Sequence, residues 1–160
     1  MHYWLMKSEP DEVSLDDLAA APGQTVSWFG VRNYQARNFM RDAMQIGDLA
    51  FFYHSGCAEP GIAGICEICS AAYPDASQFD PASPYFDPKS TPENPRWLLR
   101  DVRFVTRTLF VALAELRRHP ELANMRLLAR GNRLSIMPVA ADEWDFIGRR
   151  LLAPGQQKGS

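Results

Sequence analysis

Leu49-Ala-Phe-Phe-Tyr53, then His54-Ser55-Gly56, then Ile62 to Ser70 follow one another as a β-type apolar run, a polar turn and a second β-type run. No helical stretch separates the two runs, so they do not read as a βαβ unit. Upstream, the period is helical. Ala36, Phe39, Met40 and Ala43 fall at i, i+3, i+4 and i+7, which predicts one apolar helix face beginning near Asn33. Ser14-Leu-Asp-Asp17-Leu predicts a short N-capped helix with acidic residues in its first turn, stopped by Ala21-Pro-Gly23. His2 to Met6 predicts a strand, ended by Lys7-Ser8-Glu9-Pro10.

Downstream, residues 73–96 hold six prolines and the aromatics Tyr73, Phe79, Tyr85 and Phe86. Proline at this density excludes regular structure. The aromatics predict an ordered extended loop packed on the domain, covering one side of it, in preference to a linker or a protein-interaction loop. Trp97 to Leu109 predicts a long, bulged strand and Val111 to Arg118 a short amphipathic helix. Gly131-Asn132 predicts a turn before a strand over Arg133 to Pro138, and Asp142 to Arg150 a helix burying Trp144 and Ile147. The sum is α+β: a mixed, curled sheet or small pseudo-barrel of about five to six strands flanked by short helices. A single domain over residues 1–152 and a flexible tail over 153–160 are expected.

The chain has 160 residues, 46% apolar, 22% charged and 11% aromatic, which excludes a largely disordered protein. Its longest apolar run, Leu109 to Ala114, is six residues, against the roughly 20 that a transmembrane helix needs. With no basic leader at the N-terminus and three cysteines, a cytoplasmic protein that avoids membranes is expected. The oligomeric state is left open by the sequence, with a monomer favoured. The net charge of −2 conceals an asymmetry: residues 1–95 carry 5 basic and 13 acidic groups, and residues 96–160 carry 12 and 6. Fourteen of the 17 basic residues are arginine. A sequence-independent nucleic-acid binder is normally more basic overall, so any nucleic-acid contact is expected to be local and selective, or else weak.

His54, Cys57, Cys66 and Cys69 have a spacing that superficially suits zinc. Cys66 and Cys69, however, fall in a predicted strand, where residues three apart point to opposite faces, so no metal is expected. No Gly-rich phosphate fingerprint is present, and no cofactor is expected. Ser8, Ser55 and Ser135 lack any nucleophile motif. Lys7 and Glu9 with Tyr53 or His54 allow proton transfer, but a salt-bridged strand end is the favoured reading. The strongest constellation is the set of loops at strand ends: Lys7-Ser8-Glu9, Trp28 to Gln35, Tyr53-His54-Ser55 and Arg133-Leu-Ser135. Flat aromatic surfaces beside fixed polar groups suit a planar heteroaromatic ligand, although Trp28 and Tyr53 read as ordinary core aromatics and Asn33 as a helix cap on spacing alone.

Tyr3-Trp-Leu-Met-Lys-Ser-Glu-Pro10, Trp28-Phe-Gly-Val-Arg-Asn-Tyr-Gln-Ala-Arg-Asn38, Tyr53-His-Ser55, Tyr73-Pro-Asp75, Phe79-Asp-Pro81, Tyr85-Phe-Asp-Pro-Lys89 and Arg133-Leu-Ser135 closely resemble the EVE domain family. The resemblance implies a PUA-like fold, with kinship to YTH and ASCH domains. It implies a binding module for a modified nucleobase, such as 5-methylcytosine or 5-hydroxymethylcytosine in DNA, or modified RNA. The ASCH kinship leaves open a small hydrolase of modified nucleosides. Carried over by motif, the pocket residues are Lys7, Ser8, Glu9, Trp28, Arg32, Asn33, Tyr34, Tyr53, His54, Ser55 and Ser135. Arg32 and Arg37 are the expected phosphate contacts. Many relatives have Gln where this chain has Met137.

Overall fold

The structure is a computed structural model describing residues 1–152. The expected tail over 153–160 lies outside the described residues. The elements are β1 (Tyr3–Ser8), α1 (Leu15–Ala20), β2 (Thr25–Ser27), α2 (Tyr34–Asn38, continued by a π-turn over Phe39–Ala43), β3 (Leu49–His54) and β4 (Gly61–Ile68). There follow β5 (Tyr73–Pro74), β6 (Leu98–Leu99), β7 (Asp101–Ala112), α3 (Leu113–Leu116), β8 (Ile136–Val139) and α4 (Ala141–Phe146, continued by a π-turn over Ile147–Leu151).

Six strands form one mixed sheet in the order β2-β7-β4-β3-β1-β8. Only β1 and β3 run parallel, and their register carries Tyr3 opposite Leu49 and Ser8 opposite His54. The two strands read from residues 49–70 are present as β3 and β4, and they pair antiparallel, with a register shift between Phe52 and Tyr53. Two further shifts interrupt the β4–β7 pairing. Such bulges bend strands and increase their twist. Gly64 adds close approach, since a Cβ there would lie 2.6 Å from the Thr106 carbonyl oxygen. The sheet accordingly curls into a half-barrel, the PUA-like α+β fold expected from the sequence.

Alternation along β1 and β3 sorts the apolar residues into two cores. Trp4, Met6, Ala50 and Phe52 join Trp28, Leu15, Leu18 and Met40 on one face. Leu5, Phe51 and Tyr53 join Leu116, Met137, Trp144 and Ile147 on the other. Pro138 is tolerated in β8 because that strand closes the sheet edge. The strand predicted over Arg133 to Pro138 starts only at Ile136, and the three-residue β2 is an addition too short to give a sequence period.

The helices start where their caps place them. Ser14 Oγ accepts from the Asp17 N–H (3.0 Å) while the Asp17 carboxylate accepts from the Ser14 N–H (2.9 Å), a reciprocal capping box. The Asn33 carbonyl group of the side chain accepts from the Ala36 N–H (3.0 Å). At the other end, the buried Arg100 donates to the carbonyls of Met40 (2.6 Å) and Met44 (2.7 Å), satisfying acceptors at the π-turn.

Residues 73–96 are ordered and packed, as their aromatics predict. The reason is Gln78, which is fully buried. Its Nε2 donates to the carbonyls of Asp75 and Trp97, both at 2.7 Å, and its Oε1 accepts from the N–H groups of Arg96 (3.1 Å) and Trp97 (3.0 Å). One amide side chain thus replaces ladder bonds that the prolines cannot make.

Candidate functional site

Because β1 and β3 are parallel, their C-terminal ends meet at one edge of the sheet. The Ser55 N–H donates to the Ser8 carbonyl (3.0 Å), extending the pairing past the strands, and the Lys7 N–H donates to the Ser135 carbonyl (2.8 Å). Facing them is the loop leaving β2. The Trp28 N–H donates to the Arg100 carbonyl (2.9 Å), and its indole stands edge-to-face on Phe52 with centroids 5.5 Å apart. Between these walls lies a cavity of about 360 Å³, within the range of small-ligand pockets.

Of the candidate residues, Lys7, Ser8, Glu9, Trp28, Arg32, Ser55 and Ser135 line this cavity. Trp28 is only 7% exposed, yet it shares the cavity with Ser8 and Ser55; it is both a core aromatic and a pocket wall. Ser8 Oγ donates to the Val13 carbonyl (2.6 Å), leaving its lone pairs for a donor. Lys7 is half-buried at the rim, and burial pulls its ammonium below the ordinary lysine value.

The structure does not bring the other candidates there. Tyr53 is one residue from Phe52 on β3 and therefore packs in the opposite core, where burial raises its hydroxyl to about 12. Its ring lies 5.9 Å from the Lys7 Nζ. His54 turns toward α1: its Nε2 accepts from the Leu15 N–H (3.1 Å), and burial lowers its pKa. Tyr34 is exposed and stacks on Trp97 at 4.7 Å. Asn33 caps α2 and borders a different concavity. Met137 is fully buried in the second core, away from this cavity.

The two expected phosphate contacts are placed differently from one another. Arg32 Nε (3.0 Å) and Nη2 (2.7 Å) fork onto the Tyr85 carbonyl; Nη1 reaches the Val31 carbonyl (2.9 Å) and Asp75 (3.2 Å), and Nη2 also reaches Ser77 Oγ (3.1 Å). Those contacts engage every N–H that a guanidinium carries. Arg37 Nη1 donates to the Arg96 carbonyl (2.8 Å) and its Nε and Nη2 to Asn38. Both arginines pin the proline-rich segment to the domain.

That segment supplies a wall which the expected pocket residues did not include. Tyr85 lines the cavity with Glu12, to which its hydroxyl donates, and this bond, with burial second, raises the phenol to about 12. Phe29 meets the Tyr85 ring edge-to-face at 5.7 Å. Arg133 is a further lining residue. The available signals were the aromatic density of residues 73–96 and the position of Arg133 in the Arg133-Leu-Ser135 motif.

Chemically, the cavity offers an indole wall, a phenol wall, the serines Ser8, Ser27, Ser55 and Ser135, and the rim pair Lys7 and Glu9. Among the described residues no serine hydroxyl is hydrogen-bonded to a histidine: Ser8 Oγ donates to the Val13 carbonyl, and His54 Nε2 accepts from the Leu15 N–H. Among the described residues, no group of three or more His, Cys, Asp or Glu is arranged to hold a metal ion, and no helix is long and apolar enough to cross a membrane. Cys66 is buried, with its thiol raised to about 12 by burial, while Cys57 is exposed.

A half-barrel with one aromatic and polar cavity at its parallel-strand edge places the chain among PUA-like α+β domains. More narrowly, the chain belongs to the EVE domain family, whose description matches residues 2–150. It is 48% identical to human thymocyte nuclear protein 1 over 163 residues, 91% of this chain and 72% of that protein. The chicken thymocyte nuclear protein 1 is also 48% identical, with the match spanning 91% of this chain and 66% of that protein. Among solved structures, a protein from Leishmania major superposes with a TM-score of 0.89 at 45% identity, over 100% of this chain and 98% of that one. The human THYN1 protein in complex with 5-methylcytosine-containing DNA superposes with a TM-score of 0.86 at 48% identity, over 92% and 95% of the two chains.

Proposed function

We propose that this chain is a reader of a modified nucleobase, holding one base, such as 5-methylcytosine in DNA, in the cavity between Trp28 and the Ser8–Ser55 edge. The observation that carries the reading is the convergence of Trp28, Ser8 and Ser55 on one cavity of about 360 Å³. The human relative solved with 5-methylcytosine-containing DNA supports the choice of ligand. Removing a base from a duplex costs a few kcal/mol. Stacking on an aromatic ring returns ~1–3 kcal/mol, and hydrogen bonds to the base edge must supply the rest. Ser8, Ser55 and Ser135, which line the cavity, make those bonds together with adjacent backbone. Lys7 and Glu9 stand at the rim.

The test compares oligonucleotides of one sequence with and without 5-methylcytosine, single- and double-stranded, at a stated salt concentration. The wild-type protein is expected to prefer the modified strand. Trp28→Phe should reduce that preference and Trp28→Ala should weaken binding about tenfold, the scale of one base stack. Melting curves verify that each variant is folded, and Ser55→Ala gives a second reading should Trp28→Ala unfold. Equal affinity for both oligonucleotides overturns the proposal, as does conversion of the base to a product.

A further inference from the structure

Arg133 borders two concavities. One is the base cavity; the other, of about 390 Å³, lies between the start of α2 and the loop over residues 126–134. The second is lined by Arg126, Arg130 and Arg133, together with Asn33, Gln35 and Asn132. All three arginines are exposed, and none makes an ion pair among the described residues. This contrasts with Arg32, Arg41, Arg103, Arg107 and Arg118, each of which meets a carboxylate. Three unneutralised guanidinium groups on one concave surface, in a chain of net charge −2, form a local anion site rather than part of a general basic coat.

The loop is held in shape before any ligand arrives. Asn132 Nδ2 donates to the Arg126 carbonyl (2.9 Å), Asn132 Oδ1 accepts from the Leu134 N–H (3.1 Å), and the Asn132 N–H donates to the Ala129 carbonyl (3.1 Å). Arg126 is further seated by the Phe39 ring, 5.7 Å from its Cζ. Arginine forks match phosphate oxygens in pairs.

We infer that this arginine shelf, and not Arg32, binds the phosphodiester backbone next to a base held in the neighbouring cavity. The inference rests on the base-reader reading above. Arg133 sits at the junction and takes the phosphate nearest the bound nucleotide. Arg126 and Arg130 take the adjoining ones. Arg32 is unsuited to the task because its N–H groups are engaged by Tyr85, Val31, Asp75 and Ser77. The shelf contributes affinity and orientation without distinguishing one base from another.

The test uses the 5-methylcytosine oligonucleotide and its unmodified twin across a salt series, with Arg126→Gln/Arg130→Gln, Arg133→Gln and the lysine counterpart Arg126→Lys/Arg130→Lys. The double glutamine variant is expected to bind both oligonucleotides roughly tenfold more weakly at low salt, to flatten the slope of log K against log salt by about 1 per arginine, and to keep the ratio between them. Lysine should restore most of the slope, because charge survives while the fork does not. An unchanged slope in folded glutamine variants overturns the shelf while leaving the base reading intact. Loss of the modified-to-unmodified ratio with an unchanged slope also overturns it. Absence of any preference in the wild-type protein, with a slope that still falls on removing the arginines, overturns the base reading and keeps the shelf. No binding of either oligonucleotide by the wild type overturns both.

Discussion

Gly30 donates its N–H to the buried carboxylate of Asp75 over 2.8 Å, so the loop that carries Trp28 is fastened directly to the proline-rich segment. Asp75 also accepts from the Ser77 N–H (2.9 Å) and from Arg32 (3.2 Å). Burial by itself raises its pKa, but the bonds from Ser77 and Gly30 and the Arg32 charge outweigh this and hold it below the usual carboxylate range. Replacement by alanine leaves the Gly30 and Ser77 N–H groups and one N–H of the Arg32 guanidinium without their acceptor. Asp75→Ala is expected to destabilise the fold by about 3 kcal/mol in urea unfolding. It should also expose residues 73–96 to limited proteolysis before the rest of the domain.

The same loop sets up a coupling between Gly30 and Tyr85. Gly30 has φ +84°, and a Cβ there would lie 2.8 Å from the Tyr85 ring. Gly30→Ala therefore carries two penalties, a left-handed backbone worth about 1 kcal/mol and a steric conflict. A double-mutant cycle separates them. Gly30→Ala should cost less in a Tyr85→Ala background, and the difference measures the conflict. Equal costs in both backgrounds would mean that Tyr85 swings aside freely and is not a fixed wall of the cavity.

The sequence shows the general plan because apolar periodicity survives without knowledge of partners: residues 49–70 read as strand, turn and strand, and Ala36, Phe39 and Met40 as one helix face. It shows the cavity less well because alternation on one strand depends on register. Phe52 and Tyr53 are adjacent aromatics in the sequence, and only the sheet decides that Phe52 supports Trp28 while Tyr53 faces the second core. The family motifs add Ser8, Trp28 and Ser55, but a motif does not say which of its members bind and which hold the binders in place. His54 and Arg32 stand inside such motifs while anchoring α1 and the 75–85 segment respectively. Tyr85 was legible as one aromatic in a proline-rich stretch and as the first residue of a family motif, but not as a cavity wall, because its contacts with Gly30 and Glu12 span 55 and 73 residues of chain.

Arg32 offers a clean separation of scaffold from ligand contact. Its fork onto the Tyr85 carbonyl and its reach to Asp75 need the planar guanidinium. Arg32→Lys keeps the charge but is expected to lose about 2 kcal/mol of stability, since a lysine ammonium cannot make these contacts together. The salt slope of oligonucleotide binding should remain that of the wild type. A flattened slope with unaltered stability would instead assign Arg32 to the phosphate backbone.

His54 gives the fold a specific acid sensitivity. Its Nε2 accepts the Leu15 N–H, which requires a neutral ring, and burial lowers its pKa below the ordinary 6.5, an effect that the nearby Asp16 charge only partly opposes. Between the lowered folded value and the unfolded one, the unfolded chain binds more protons, so stability rises with pH across that window. The contribution is complete above about pH 6.5 and is lost as pH falls through the folded value. His54→Gln keeps an acceptor but does not titrate. The wild-type Tm is therefore expected to fall more steeply than that of His54→Gln as pH drops from 7 to 5, with the loss seen first as faster amide exchange at the start of α1. Parallel Tm curves for the two proteins would show that the ring tolerates its proton and that another group anchors the helix.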